Sequence, residues 1–106
     1  MAWYDYLLNF VAGAFLANGV PHFVQGISGN PFQTPFAEPA GVGESSPRVN
    51  VVWGFANLAA GELMLHYFRP AGDDSAKGWA AVGLGALLLA LLTAGHFGKV
   101  RAKKRV

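Results

Sequence analysis

The run AAVGLGALLLALLTAG, Ala80 to Gly95, constrains this chain more than any other stretch. Between Trp79 and Phe97 the only polar side chains are Thr93 and His96. A helix here has no polar face to turn towards water, and a surface helix of a soluble bundle needs one. Gly78, Gly83, Gly85, Gly95 and Gly98 would weaken such a helix in water but are tolerated in lipid. A membrane-crossing helix is therefore predicted from Ser75 to Gly98. Asp73, Asp74 and Ser75 offer caps and negative charge at its start, and the charged run from Lys99 stops it.

Two further apolar segments share the pattern. The first covers residues 3–27 and gathers Trp3, Tyr4 and Tyr6 at its start, as aromatics do at a membrane interface. The second covers residues 47–69. Ser46 can cap it and Pro47 suits its first turn, where no amide bond is lost. It ends at Arg69-Pro70-Ala71-Gly72, with Tyr67 and Phe68 beside that end and Trp79 opening the next span. The expected fold is an all-α integral membrane protein with three transmembrane helices, about 3–27, 47–69 and 75–98. Residues 1–106 form one domain, with a connector at 28–46 and a basic tail at 99–106.

Charge orients the bundle. Charged residues are only 13% of the chain, against 53% hydrophobic ones. No Lys or Arg precedes Arg48, and five of the eight, Lys99, Arg101, Lys103, Lys104 and Arg105, crowd the end. A basic run directly after an apolar segment marks a cytoplasmic end. Three spans then place the N-terminus outside, in the plasma (inner) membrane of a multi-pass protein. Nucleic-acid binding needs basic charge spread over a face with interleaved aromatics, which this tail lacks. No cysteine is present, so disulfide and thiol chemistry are excluded.

Direction and spacing place the polar residues by depth. Asn18, His22 and Gln25 are spaced four and then three and share a helix face. Asn50 and Asn57, seven apart, share a face of the second helix, and Thr93 and His96 lie near the end of the third. All seven fall on the cytoplasmic side as one expected polar layer. It reads either as interhelical hydrogen bonding or as a ligand, proton or metal site. Pro21 decides between two backbones. A helix continuing through it keeps His22 in the layer, whereas a break at Gly19 leaves His22 on the surface.

Glu62, His66 and Arg69 form a second stripe in the outer half of the second helix, and Glu62 is the only acid well inside a span. Such a carboxylate is a proton or cation site by default, with pairing to His66 as the structural alternative. His22 and His96 could ligate haem or a metal, although three helices leave a haem little room. No cofactor is expected, and no nucleophile–base set or phosphate loop is visible.

Small residues suggest assembly. Ala86, Ala90, Ala94 and Gly98 recur every four residues, and Gly54 and Gly61 lie one heptad apart, spacings that let helix backbones approach. The connector holds Pro31, Pro35 and Pro39, with Phe32 and Phe36 as expected interfacial anchors. It is predicted to be ordered, either at the membrane surface or folded back beneath the polar layer. The expected function is a non-catalytic accessory subunit of a homo-oligomer or a larger membrane complex in the lipid bilayer. The alternatives are a small transporter or channel, and a haem- or metal-binding redox protein.

Overall fold

A computed structural model describes residues 1–104 as three long helices and one short hairpin. Arg105 of the basic tail lies outside the described residues. Helix α1 spans Trp3–Ile27, α2 Pro47–Tyr67 and α3 Ser75–Lys104. The connector folds into a two-stranded antiparallel hairpin, β1 (Phe32–Gln33) and β2 (Glu44–Ser45), with Phe32 opposite Ser45 and Gln33 opposite Glu44. A single 3-10 turn, Gly72–Asp74, joins α2 to α3. The hairpin marks the loop end of the molecule and the 3-10 turn marks the turn end.

Each boundary has a local cause. The Asp5 carboxylate accepts the Ala2 amide at 2.8 Å and closes the first turn of α1. The Ser46 hydroxyl accepts the Val49 amide at 3.2 Å, with Pro47 behind it. Helix α2 ends at Tyr67, before the expected Arg69, because Pro70 cannot continue the backbone bonding. Helix α3 continues past Gly98 to Lys104. Lys and Arg are good helix formers, and their charge suits a helix C-terminus. The first segment of the tail is therefore helix.

Helix α1 passes through Pro21 without a break. The missing amide frees the Ala17 carbonyl, but neighbouring helix packing holds the axis on both sides. A Cβ on Gly19 would lie 2.9 Å from the Gly54 carbonyl, and one on Gly26 would lie 2.7 Å from the Pro47 carbonyl. His22 accordingly stays on the inner face, 2% exposed. The backbone choice left open at Pro21 falls to the continuous helix.

Helix α1 is the middle of the structure. Helix α2 packs along one side of it and α3 along another, while α2 and α3 share almost no contact. Glycine sets both spacings. A Cβ on Gly13 would stand 1.9 Å from the Val82 carbonyl oxygen, and one on Gly85 1.9 Å from that of Phe10. On the other side Gly54 meets the Phe23 backbone, and Gly61 meets Leu16 and Ala12. Of the small residues expected to pack, Gly54, Gly61 and Ala86 face α1, whereas Ala90, Ala94 and Gly98 are exposed.

The interior is polar and the exterior apolar. Asn9, His22, Gln33, Thr34, Asn50 and Asn57 are buried, while Leu84, Leu87, Leu88, Leu91 and Leu92 line an exposed face of α3. Soluble monomers rarely expose apolar patches of that extent. Helices α1 and α3 are long and apolar enough to cross a membrane. Helix α2, which carries Arg48, Asn50, Asn57, Glu62 and His66, is not one of these two. At the turn end Trp3, Tyr4, Tyr67, Phe68 and Trp79 are exposed, with Tyr6 half-buried and the Arg69 guanidinium 5.6 Å over the Trp79 ring.

Candidate functional site

The polar side chains of α1 and α2 meet beneath the hairpin. The Asn18 amide donates to the Asn57 side-chain oxygen at 3.0 Å, and Asn57 donates to the Trp53 carbonyl at 2.8 Å. One turn nearer the loop, His22 Nδ1 lies 2.8 Å from the Asn50 side-chain oxygen. The Asn50 amide nitrogen lies 3.1 Å from three carbonyls, those of Phe32, Ser45 and Ser46, and shares its two hydrogens among them. This one side chain therefore ties α1, α2 and both strands of the hairpin together.

The three carbonyls also fix chemistry. They require the Asn50 nitrogen on their side, so the oxygen faces His22 and can only accept. His22 Nδ1 must then carry the hydrogen. In the neutral ring Nε2 becomes an acceptor with no protein partner among the described residues.

A cleft of about 370 Å³ opens beside this network, lined by Asn18, His22, Gln33, Thr34, Trp53 and Phe97 among others. Thr34 is held by the Ser45 hydroxyl. Gln33 is 1% exposed, yet neither polar atom of its side chain has a protein partner, and neither does the buried Trp53 Nε1. Buried polar atoms are nearly always satisfied, so the Gln33 amide and Trp53 Nε1 form an unspent set, and the His22 lone pair adds an acceptor beside the same cleft. Asn9, towards the turn end of α1, is also buried and unpartnered but does not line this cleft.

The other expected site residues lie elsewhere. Gln25 accepts from Asn30 at 3.0 Å, where the chain leaves α1. Thr93 bonds back to the Ala90 carbonyl of its own helix at 3.1 Å. His96 Nε2 donates to the Gly41 carbonyl at 2.8 Å, and Lys104 donates to that of Val42 at 2.9 Å, so α3 pins the far side of the connector. Phe32, expected as an interfacial anchor, is 5% exposed instead. Its ring lies between His22 (5.3 Å) and Phe97 (4.9 Å), with Arg101 5.6 Å above it. Phe36 is 63% exposed and meets Trp53 edge-on at 4.8 Å.

His22 and His96 are connected through Phe32 and Phe97, since His96 meets Phe97 at 5.1 Å. A haem between them would have to displace both phenyl rings. Among the described residues no group of three or more His, Asp or Glu is placed to hold a metal ion. Glu62 and His66 are exposed on α2, His66 stacked edge-on against Tyr67 at 5.1 Å. Among the described residues Glu62 has no salt bridge, and it does not line the cleft.

Gln33 and Thr34 are the site residues that sequence reasoning missed. The one signal for them is a polar pair enclosed by Pro-Phe units in PFQTPF. Comparison with protein-family models, with characterised proteins and with solved structures gives no match for this chain.

Proposed function

We propose that the chain is a non-catalytic three-span membrane protein that binds a small, uncharged, hydrogen-bonding molecule in the cleft beneath its hairpin. The buried, unpartnered Gln33 side chain carries this reading, because an amide is kept in such a place only if something answers it. The ligand class follows from the lining. His22 Nε2 and the Gln33 oxygen need a donor, whereas Trp53 Nε1 and the Gln33 nitrogen need an acceptor. Among the described residues no carboxylate, lysine or arginine lines the cleft, so nothing among them would neutralise a charged guest.

Gln33→Leu tests it in one variant. Removing two unsatisfied polar atoms is expected to raise thermal stability in detergent by about 1–3 kcal/mol. The same change should abolish the small molecule that co-purifies with the parent in mild detergent, read by mass spectrometry of the extracted fraction. A parent protein that retains no such molecule, or a Gln33→Leu protein that retains it, refutes the proposal.

In this reading α2 crosses the membrane with α1 and α3, the loop end and basic tail face the cytoplasm, and the N-terminus lies outside. The natural chain has no cysteine, which makes the topology directly testable. A cysteine replacing Ser28 is expected to react with an impermeant maleimide only after the membrane is opened. One replacing Ala71 should react in intact cells. The reverse pattern inverts the topology, and labelling of both from one side removes α2 as a span.

A second reading, assembly as an accessory subunit of itself or a larger complex, is favoured by Glu62. An unpaired carboxylate on the outer face of a spanning helix is costly in lipid and is relieved by a protein neighbour. The exposed Ala90, Ala94 and Gly98 offer a close-approach face for one. A single monomeric species in mild detergent, with no co-purifying protein, would rule this reading out.

A further inference from the structure

The end of α3 forms a second pocket, separate from the cleft. His96, Lys99, Val100, Lys103 and Lys104 enclose about 280 Å³ together with Val42 of the connector. Residues 96, 99 and 103 are spaced three and then four, so their side chains share one helix face. Val100, 6% exposed, is buried among them. Lys104 reaches over to the Val42 carbonyl. Arg101 takes no part and stacks on Phe32 instead.

Among the described residues no carboxylate lines this pocket, and Lys99 and Lys103 at i and i+4 repel one another. An anion between the ammonium groups would relieve that repulsion. Its height indicates which anion. From Lys99 to Lys104 the helix rises about 7.5 Å. The headgroup layer beyond the hydrocarbon core is about 5–7 Å deep on each side. If α3 crosses the bilayer as a span ending near Gly98, these lysines lie at the depth of lipid phosphates.

We infer that Lys99, Lys103 and Lys104 bind the phosphate of an anionic phospholipid headgroup in the pocket closed by Val42. The inference rests on the membrane reading of α3 but not on the cleft ligand. Free inorganic phosphate is the other source of the same chemistry.

The test is native mass spectrometry of the full chain in mild detergent, titrated with phosphatidylglycerol, with phosphatidylcholine as the neutral control and inorganic phosphate as competitor. The parent is expected to retain phosphatidylglycerol in preference to phosphatidylcholine. Each lysine near an anionic surface contributes about fivefold. The combined Lys99→Gln, Lys103→Gln and Lys104→Gln variant should therefore lose roughly 100-fold, and Lys103→Gln alone about fivefold. The single variant keeps the test open if the triple variant does not fold. An equally charged control, Arg48→Gln with Arg69→Gln and Lys77→Gln, should bind as the parent does, and so should Gln33→Leu. Equal loss in that control means diffuse net charge and overturns the pocket. Equal retention of the two lipids overturns it as well. Displacement of phosphatidylglycerol by millimolar phosphate identifies the ligand as free phosphate and overturns the lipid assignment.

Discussion

Asn50→Leu is expected to destabilise the loop end of the molecule severely. The substitution nearly preserves volume but removes the partner of His22 Nδ1 and, among the described residues, the only side-chain donor reaching the Phe32 and Ser45 carbonyls. A typical side-chain hydrogen bond in a membrane contributes about 0.6 kcal/mol. Losing the shared partner leaves several buried groups orphaned together, at about 1–3 kcal/mol each. The connector, held to α2 through this amide, should become the first site of proteolysis, and thermal unfolding in detergent should begin earlier. Asn50→Asp sharpens the test. It keeps an acceptor for His22 but presents lone pairs to three carbonyls, so it should be at least as damaging as leucine. An Asn50→Leu protein that melts with the parent would show that the network is decoration.

Gly13→Ala should separate α3 from the rest. The new methyl carbon would lie 1.9 Å from the Val82 carbonyl oxygen, and the obstacle is backbone, which has no rotamer to escape into. Overpacking of this kind costs about 1–3 kcal/mol, occasionally more. Helices α2 and α3 barely touch, so the damage should be one-sided. Hydrogen exchange is expected to quicken along α3 and remain slow where α1 meets α2. Gly83→Ala is the matched control, because nothing lies within 4 Å of its added carbon. Uniform acceleration across all three helices, or none, would contradict the central position of α1.

The pairings of Asn18 with Asn57 and of His22 with Asn50 were within reach of the sequence. Spacings of four and seven survive folding in a continuous helix, and antiparallel neighbours fix relative depth. Periodicity carried no information about Gln33, Thr34 and Phe32. They are buried because a hairpin folds back under α1, and strands of two residues have no repeat to read. On α3 the sequence offered two small-residue patterns. The four-residue series Ala90, Ala94 and Gly98 is exposed, whereas Gly78 and Gly85, one heptad apart, are buried. Spacing alone could not choose between them, since the choice depends on what lies opposite: Gly85 meets the Phe10 backbone and Gly78 meets Pro70 and Met1. Thr93 and His96 sit on α3, which packs on α1 and reaches the connector rather than α2.

The arrangement of α1 between two helices that ignore each other also bears on how the protein is made. The ribosome delivers the N-terminal segment first, and domains form in that order. Of the three helices, the one synthesised first is the one on which both later helices dock. Helix α2 can find its glycine seats as soon as it emerges, and α3 needs nothing from α2 to find its own. A chain halted after Tyr67 could already seat α2 on α1, while the connector would still lack the His96 and Lys104 bonds that α3 supplies, so biogenesis can proceed by successive addition to a template, with the loop end completed last.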